Sequence, residues 1–258
     1  MSLEGATDGL LKDFAVRGSG ANAKIGIIFV HGFTGSPAAV RSWAEFFSAR
    51  GYAVRVPLLP GHGTRWEDLN RVGWQEWPIR VVEELEELHK SCDKVFIFGL
   101  SMGGATSLYV AAHHGDQLAG IVLVNPMIHI PGLKVKFAPV IARFRSHMPP
   151  VEGDIKRPNV SEFGYDALPT KGVVQLTKLL KSSRSTLGMV KNPIMLFHSA
   201  EDHVLPVSNT EIVMAEIGSE KKQRIELVNS YHVATLDYDS DIIFENSLLF
   251  VEEISKAP

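Results

Sequence analysis

Residues 95–104 read Val-Phe-Ile-Phe-Gly-Leu-Ser-Met-Gly-Gly. A short apolar run of strand type ends at Gly99, the pattern G-x-S-x-G follows with Ser101 at its centre, and residues 105–114 have a helical composition. A serine on a sharp strand-to-helix turn projects its hydroxyl clear of the backbone, the arrangement of an activated nucleophile. Gly99 and Gly103 have a steric reason to be there, because side chains would crowd so tight a turn and glycine accepts unusual dihedrals. The pentapeptide by itself is a weak signal; the strand before it and the helix after it make it a strong one.

Outward from this turn the same alternation repeats. Residues 25–30, 52–56, 94–98, 120–124, 193–198 and 224–228 read as strands, and 38–50, 74–90, 104–114, 208–217 and 240–254 as helices. Continuous apolar strands alternating with helices imply an α/β fold, a mostly parallel sheet covered by helices on both faces. The alternation breaks between Asn125 and Asn192, a stretch rich in proline whose helical pieces read as short. An excursion of ~65 residues is too long for a simple connection. The reading is a core domain formed by 1–126 and 192–258, with a cap insertion at 127–191 over the sheet edge where α/β proteins bind ligands.

The chain has 258 residues, 45% of them apolar, and a formal net charge of -3. That suits one large domain carrying an insertion. No basic stripe points to nucleic acid. Cys92 is the single cysteine, so no internal disulfide forms, and it reads as a small buried filler. The N-terminus lacks the basic and apolar regions of a secretory signal, and no apolar run reaches the ~18 residues of a membrane span. The expectation is a soluble cytoplasmic protein. Nothing in the sequence specifies an oligomeric state.

A serine hydroxyl needs a base within hydrogen-bond reach, and the base needs an orienting acid. With the nucleophile on an elbow of this kind, acid and then histidine follow it in the chain. The apolar run 193–198 leads into Ser199-Ala200-Glu201-Asp202-His203, which puts Asp202 on a loop at the required edge, with Glu201 as its competitor. The chain has ten histidines, but His232 is the only one after His203, and it sits just past the strand at 224–228. His203 adjoins Asp202 and should diverge from it, and His198 lies inside a strand. Catalytic roles therefore fall on Ser101, Asp202 and His232.

Acyl transfer builds negative charge on a carbonyl oxygen, and a preorganised N–H donor there is worth roughly 3–4 kcal/mol. One donor is the amide after the nucleophile, Met102. The other comes from the loop after an early strand, His31-Gly32-Phe33-Thr34-Gly35-Ser36, where the backbone N–H of Phe33 is placed to complete the oxyanion hole.

Together these segments resemble the α/β-hydrolase family. His31-Gly32-Phe33-Thr34-Gly35, Pro60-Gly61-His62-Gly63, Gly99-Leu100-Ser101-Met102-Gly103-Gly104, Glu201-Asp202-His203 and Asn229-Ser230-Tyr231-His232 fall in the family's order. The run Asn229–Asp239 and the cap stretch Pro158–Tyr165 are similar to those of bacterial monoacylglycerol lipases and related carboxylesterases. That resemblance implies hydrolysis of a lipid ester, most simply monoacylglycerol to glycerol and fatty acid, through an acyl-enzyme and without metal or organic cofactor. A broad carboxylesterase is the alternative. The resemblance also implies that Glu162 holds a free glycerol hydroxyl, although Phe163 and Gly164 beside it depart from the family pattern. An aspartate at the elbow would suit a dehalogenase or epoxide hydrolase, and Ser101 argues against both. The cap stretch 127–146 interleaves apolar residues with Lys134, Lys136, Arg143 and Arg145. It either packs and lines an acyl tunnel or makes weak contact with a membrane or micelle surface.

Overall fold

The computed structural model describes residues 9–131, 138–150 and 153–256. Its centre is a seven-stranded sheet. In chain order the strands are β1 (Phe14–Val16), β2 (Ile25–Val30), β3 (Ala53–Val56), β4 (Lys94–Leu100), β5 (Gly120–Val124), β8 (Ile194–Ser199) and β9 (Lys222–Leu227), and in space they run β1-β3-β2-β4-β5-β8-β9. Only β1 is antiparallel to its neighbour; the rest pair in parallel. Two further short strands, β6 (His147–Met148) and β7 (Leu168–Pro169), make a separate two-stranded ladder.

The central strands are apolar on both faces because helices cover both. In β4, Val95 and Ile97 face one core and Phe96, Phe98 and Leu100 the other, the period of two that a strand imposes. The first core is closed by α3 (Glu76–His89), α4 (Met102–His114), α6 (Thr170–Ser185) and α7 (Ser208–Glu216), and the second by α1 (Ala38–Ser48) and α8 (Ser240–Lys256). Edge strand β9 alternates instead, with Lys222, Arg224 and Glu226 exposed, which discourages pairing with another chain. Cys92 is buried in the first core as a small apolar filler.

The interval after β5 differs from its sequence reading in one respect. It holds the short α5 (Ala138–Phe144) but also α6, which has 16 residues; another short helix, α2 (Trp66–Leu69), lies upstream between β3 and α3. Leu176, Leu179 and Leu180 bury one face of α6, and Ser183 Oγ donates to the Ala105 carbonyl of α4 at 2.9 Å. Polar lysines and serines on the other face hide this period when the sequence is read for apolar runs.

Register decides where chemistry can happen. Val30 lies opposite Gly99, Leu100 opposite Val124, and Ser199 opposite Leu227. The loops beginning at His31, Ser101, Asn125, Ala200 and Val228 therefore all emerge at one edge of the sheet. No helix among the described residues is long and apolar enough to cross a membrane.

Candidate active site

The turn after β4 is strained in a way only its neighbours explain. Ser101 sits at φ 55° and ψ -119°, a region that side chains rarely adopt. A Cβ on Gly99 would lie 2.5 Å from the Gly103 carbonyl oxygen, and one on Gly103 only 2.0 Å from that of Val30. These contacts are with backbone, which cannot step aside. Ser101 N–H donates to Val124 O at 3.1 Å, and Ser101 O accepts from Met127 N–H at 3.0 Å, so β5 and the chain beyond it hold the turn in place.

Three side chains from three loops meet there. Ser101 Oγ lies 2.9 Å from His232 Nε2, and His232 Nδ1 lies 2.8 Å from Asp202 Oδ2. With Asp202 as acceptor the proton belongs on Nδ1, which leaves Nε2 free to accept from the serine. Asp202 Oδ1 also accepts from the amides of Val204 at 2.8 Å and Leu205 at 2.7 Å. Burial pushes the Asp202 carboxyl up, but the His232 hydrogen bond and charge and the two amides outweigh it, and the pKa is lowered. Glu201 points elsewhere: its side chain is exposed and pairs with Lys156 at 3.2 Å. His203 diverges too, toward Asp154, and His198 is buried with Nδ1 3.2 Å from Thr210 Oγ1.

Facing the serine is the loop after β2. A Cβ on Gly32 would lie 3.4 Å from Ser101 Cβ and 3.9 Å from its Oγ, in the space an incoming carbonyl needs. Met102 opens α4, so its amide has no carbonyl one turn back to bond. Phe33 follows Gly32, and Gly32, Phe33 and Ser101 all line one cavity. Its position is set by two histidines that sequence patterns do not interpret. His31 donates through Nδ1 to Gly32 O at 2.9 Å and accepts from Leu59 N–H at 3.2 Å; His62 donates to Pro60 O at 3.1 Å. Burial lowers His31 to about 4 and His62 to about 3, with His31 adding to the effect on His62. Both are neutral in the folded protein. The unfolded chain takes up these protons below about pH 6.5 and the folded one refuses them, so acid works against this part of the fold.

The cavity over Ser101 has a volume of about 430 Å³ and is walled mainly by apolar side chains, among them Met127, Ile130, Ile141, Leu176 and Leu205. Beside Ser101 and His232, its polar lining includes Thr34, Thr170, Asp154 and Glu162, of which Glu162 stands apart. Its carboxylate lines the cavity, packed near Gly35 and Gly153, and among the described residues it has no hydrogen-bond partner. Burial raises its pKa, against the opposing pull of His232 and with help from Asp154. The turn that delivers it is strained: Phe163 has φ 50°, and its amide donates to Ser161 Oγ at 3.1 Å. Tyr165 then ties the segment down, its hydroxyl donating to Gly61 O at 2.6 Å and its amide to Thr34 O at 3.0 Å. The Pro60-Gly61-His62-Gly63 loop thus anchors the segment above the site. Gly61 and Gly63 adopt φ 79° and 67° to do so.

Asn125, at φ 43°, is a functional neighbour the sequence reading passed over. Its side chain donates to the His232 carbonyl at 2.8 Å and to Ser199 Oγ at 2.9 Å, linking the ends of β5, β8 and the histidine loop. An Asn-Pro pair directly after a buried strand was the available signal. Among the described residues, no three of His, Cys, Asp and Glu are grouped so as to hold a metal ion.

The family profile described as serine aminopeptidase, S33, matches residues 21–239. The thermostable monoacylglycerol lipase of Bacillus sp. (strain H-257) is 39% identical over 229 residues, 89% of this chain and 91% of that protein. A carboxylesterase of Bacillus subtilis (strain 168) is 26% identical over 230 residues, 88% of this chain and 92% of its own. Among solved structures, one reported with two metagenome-derived lipolytic enzymes, LipS and LipT, superposes with a TM-score of 0.90 at 34% identity, covering 95% of this chain and 98% of that one. A mostly parallel sheet, a strained serine elbow and these likenesses over most of the chain agree: it belongs to the hydrolase family described as serine aminopeptidase, S33, and is a serine hydrolase of the α/β-hydrolase fold.

Proposed function

We propose that the protein hydrolyses carboxylic esters of lipids, with monoacylglycerol as the preferred substrate class and glycerol and a free fatty acid as products. The observation that carries this reading is the contrast inside the cavity: apolar walls, and the carboxylate of half-buried Glu162, which among the described residues has no hydrogen-bond partner. The apolar wall suits an acyl chain. An unpaired carboxylate out of water is costly, and hydroxyl donors of a glycerol moiety would offset that cost with charge-assisted hydrogen bonds. The names of the Bacillus relatives, a monoacylglycerol lipase and a carboxylesterase, agree with ester chemistry.

In the proposed mechanism Ser101 Oγ attacks the ester carbonyl while His232 Nε2 takes its proton. Asp202 holds the imidazole in the right tautomer and stabilises the imidazolium. The amides of Phe33 and Met102 stabilise the oxyanion. His232 returns the proton to the departing alcohol, and water repeats the sequence to release the acid. Residues 127–191 act as a cap on this site, with α6 as its seat on the core.

Glu162→Gln tests the substrate class. It is expected to lower kcat/KM for a monoacylglycerol at least tenfold, ~1.4 kcal/mol, while the methyl ester of the same acid stays within threefold. Equal loss on both would make Glu162 a support of the cap. No loss on either would leave a broad carboxylesterase.

The substrate is a lipid ester, and we infer weak contact of the cap with an anionic lipid surface. Ala138 and Ile141 of α5 line the cavity, whereas Val140 and Phe144 on the same helix are 57% and 79% exposed, beside exposed Arg143, Arg145 and Lys171. Leu133, Lys134, Val135, Lys136 and Phe137 of the stretch read as interfacial lie outside the described residues. Phe144→Asp should reduce co-sedimentation with anionic vesicles at low salt; unchanged sedimentation removes the inference.

A further inference from the structure

We propose that Asp154, in the chain above the site, is a positioning residue that sets the separation of the acid and the base. The inference rests on the reading of Ser101, His232 and Asp202 as a catalytic triad. Asp202 and His232 stand on loops that leave β8 and β9 separately, and between their side chains only one hydrogen bond joins them. The Asp154 carboxylate spans the two loops immediately beside both residues. Its Oδ2 accepts from the backbone N–H of His203 at 3.0 Å and from that of His232 at 3.1 Å. Its Oδ1 accepts from His203 Nδ1 at 2.8 Å, and its own carbonyl accepts from Val233 N–H at 3.0 Å. A single carboxylate thus ties the residue after the acid to the base itself.

The tie is returned in the opposite direction. Asp237, fully buried on the histidine loop, accepts from the amides of Lys156 at 2.7 Å and Arg157 at 3.0 Å, and also from those of Tyr231 at 2.9 Å and Tyr238 at 2.8 Å. Lys156 meanwhile pairs with Glu201 on the acid loop. The segment around residues 154–157 is therefore clasped to both loops: its carboxylate takes core amides, and a core carboxylate takes its amides. The Asp154 side chain is only 13% exposed, so water competes little for these bonds. The hydrogen bond to Asp154 is also the first cause of the raised pKa of His203. The Asp202–His232 bond must survive two rounds of protonation and deprotonation of the imidazole per turnover. A bridge that fixes the backbones of both partners keeps the bond short through those changes.

The test uses Asp154→Ala and Asp154→Asn in the full chain, assayed on a soluble nitrophenyl ester with active sites titrated by an organophosphate. Asp154→Ala is expected to lower kcat per titrated site 10- to 100-fold with KM within threefold. The downfield proton resonance of the His232 Nδ1–H should broaden or shift. Asp154→Asn keeps an oxygen for the two amides and should recover most of the loss, to within tenfold of the parent. A merely structural role would lower yield or Tm and leave kcat per titrated site and the resonance unmoved. If Asp154→Ala fails to fold, Asp154→Asn alone decides, with a loss of three- to tenfold expected. Values within twofold of the parent in every folded variant overturn the proposal. An inactive Ser101→Ala beside a normal Asp154→Ala would reject the clasp and keep the triad; an active Ser101→Ala would reject the triad.

Discussion

Ser101→Ala is expected to lower kcat/KM on any ester substrate by roughly 10⁴- to 10⁶-fold, about 5–8 kcal/mol of transition-state stabilisation, while the protein stays folded. The size follows from the chemistry: without Oγ no acyl-enzyme forms, and only the amides of the oxyanion hole and the binding cavity remain. Folding should survive because the hydroxyl's hydrogen bond in the free protein is the 2.9 Å contact with His232, and an alanine meets the same φ of 55° that the serine already tolerates. Circular dichroism and a thermal melt establish the fold, and initial rates establish the loss. An organophosphate should add to Ser101 in the parent, as read by mass spectrometry, and should not add to Ser101→Ala. Activity within tenfold of the parent in a folded variant would remove the serine mechanism altogether.

Asp202→Asn should cost up to ~10⁴-fold in kcat, on the precedent of an unrelated triad, whereas Glu201→Gln should stay within threefold. The geometry gives the reason. Asp202 Oδ1 accepts two backbone amides, from Val204 and Leu205. An asparagine must keep its oxygen there, because an NH₂ would meet two donors. Its NH₂ then faces His232 Nδ1 and forces the proton onto Nε2, the atom that should receive the serine proton. Glu201 has no such role: its partner is the surface lysine Lys156, and exposed pairs of this kind contribute at most about 1 kcal/mol. Stopped assays on both variants across neutral pH separate them. A dead Glu201→Gln beside an active Asp202→Asn would reverse the assignment of the acid.

Much of this arrangement was legible in the chain because it is local. The elbow is written in ten consecutive residues, and Gly99 answers a clash with Gly103 inside that turn, whereas Gly103 answers one with Val30 of the neighbouring β2. Alternation of apolar runs with helices implies a parallel sheet, and a parallel sheet places the ends of its strands at one edge. Ser101, Asp202 and His232 each lie just past a strand, so their meeting follows from topology more than from any contact visible in sequence. The choice between Glu201 and Asp202 was less local. It depends on how the loop after β8 turns, and that turn is held by amides of residues 204 and 205 on one side and by Asp154 on the other.

What the tertiary structure alone decided lies between segments far apart in the chain. Asp154 and His232 are 78 positions apart and meet through a backbone amide, which leaves no side-chain pattern to read. The Tyr165 hydroxyl reaches the Gly61 carbonyl, and the Asn125 side chain the His232 carbonyl, again through backbone that carries no sequence signal. His31 and His62 are given no role by the sequence, and burial makes them neutral props of the loop that carries Phe33. Helix α6 was hidden because its apolar stripe is narrow and its remaining surface polar. Sequence periodicity reports how each segment faces the core. Which buried carboxylate takes which distant amide is set only when the sheet edge has brought the loops together, and that is where Asp202, His232 and the segment around Asp154 acquire their geometry.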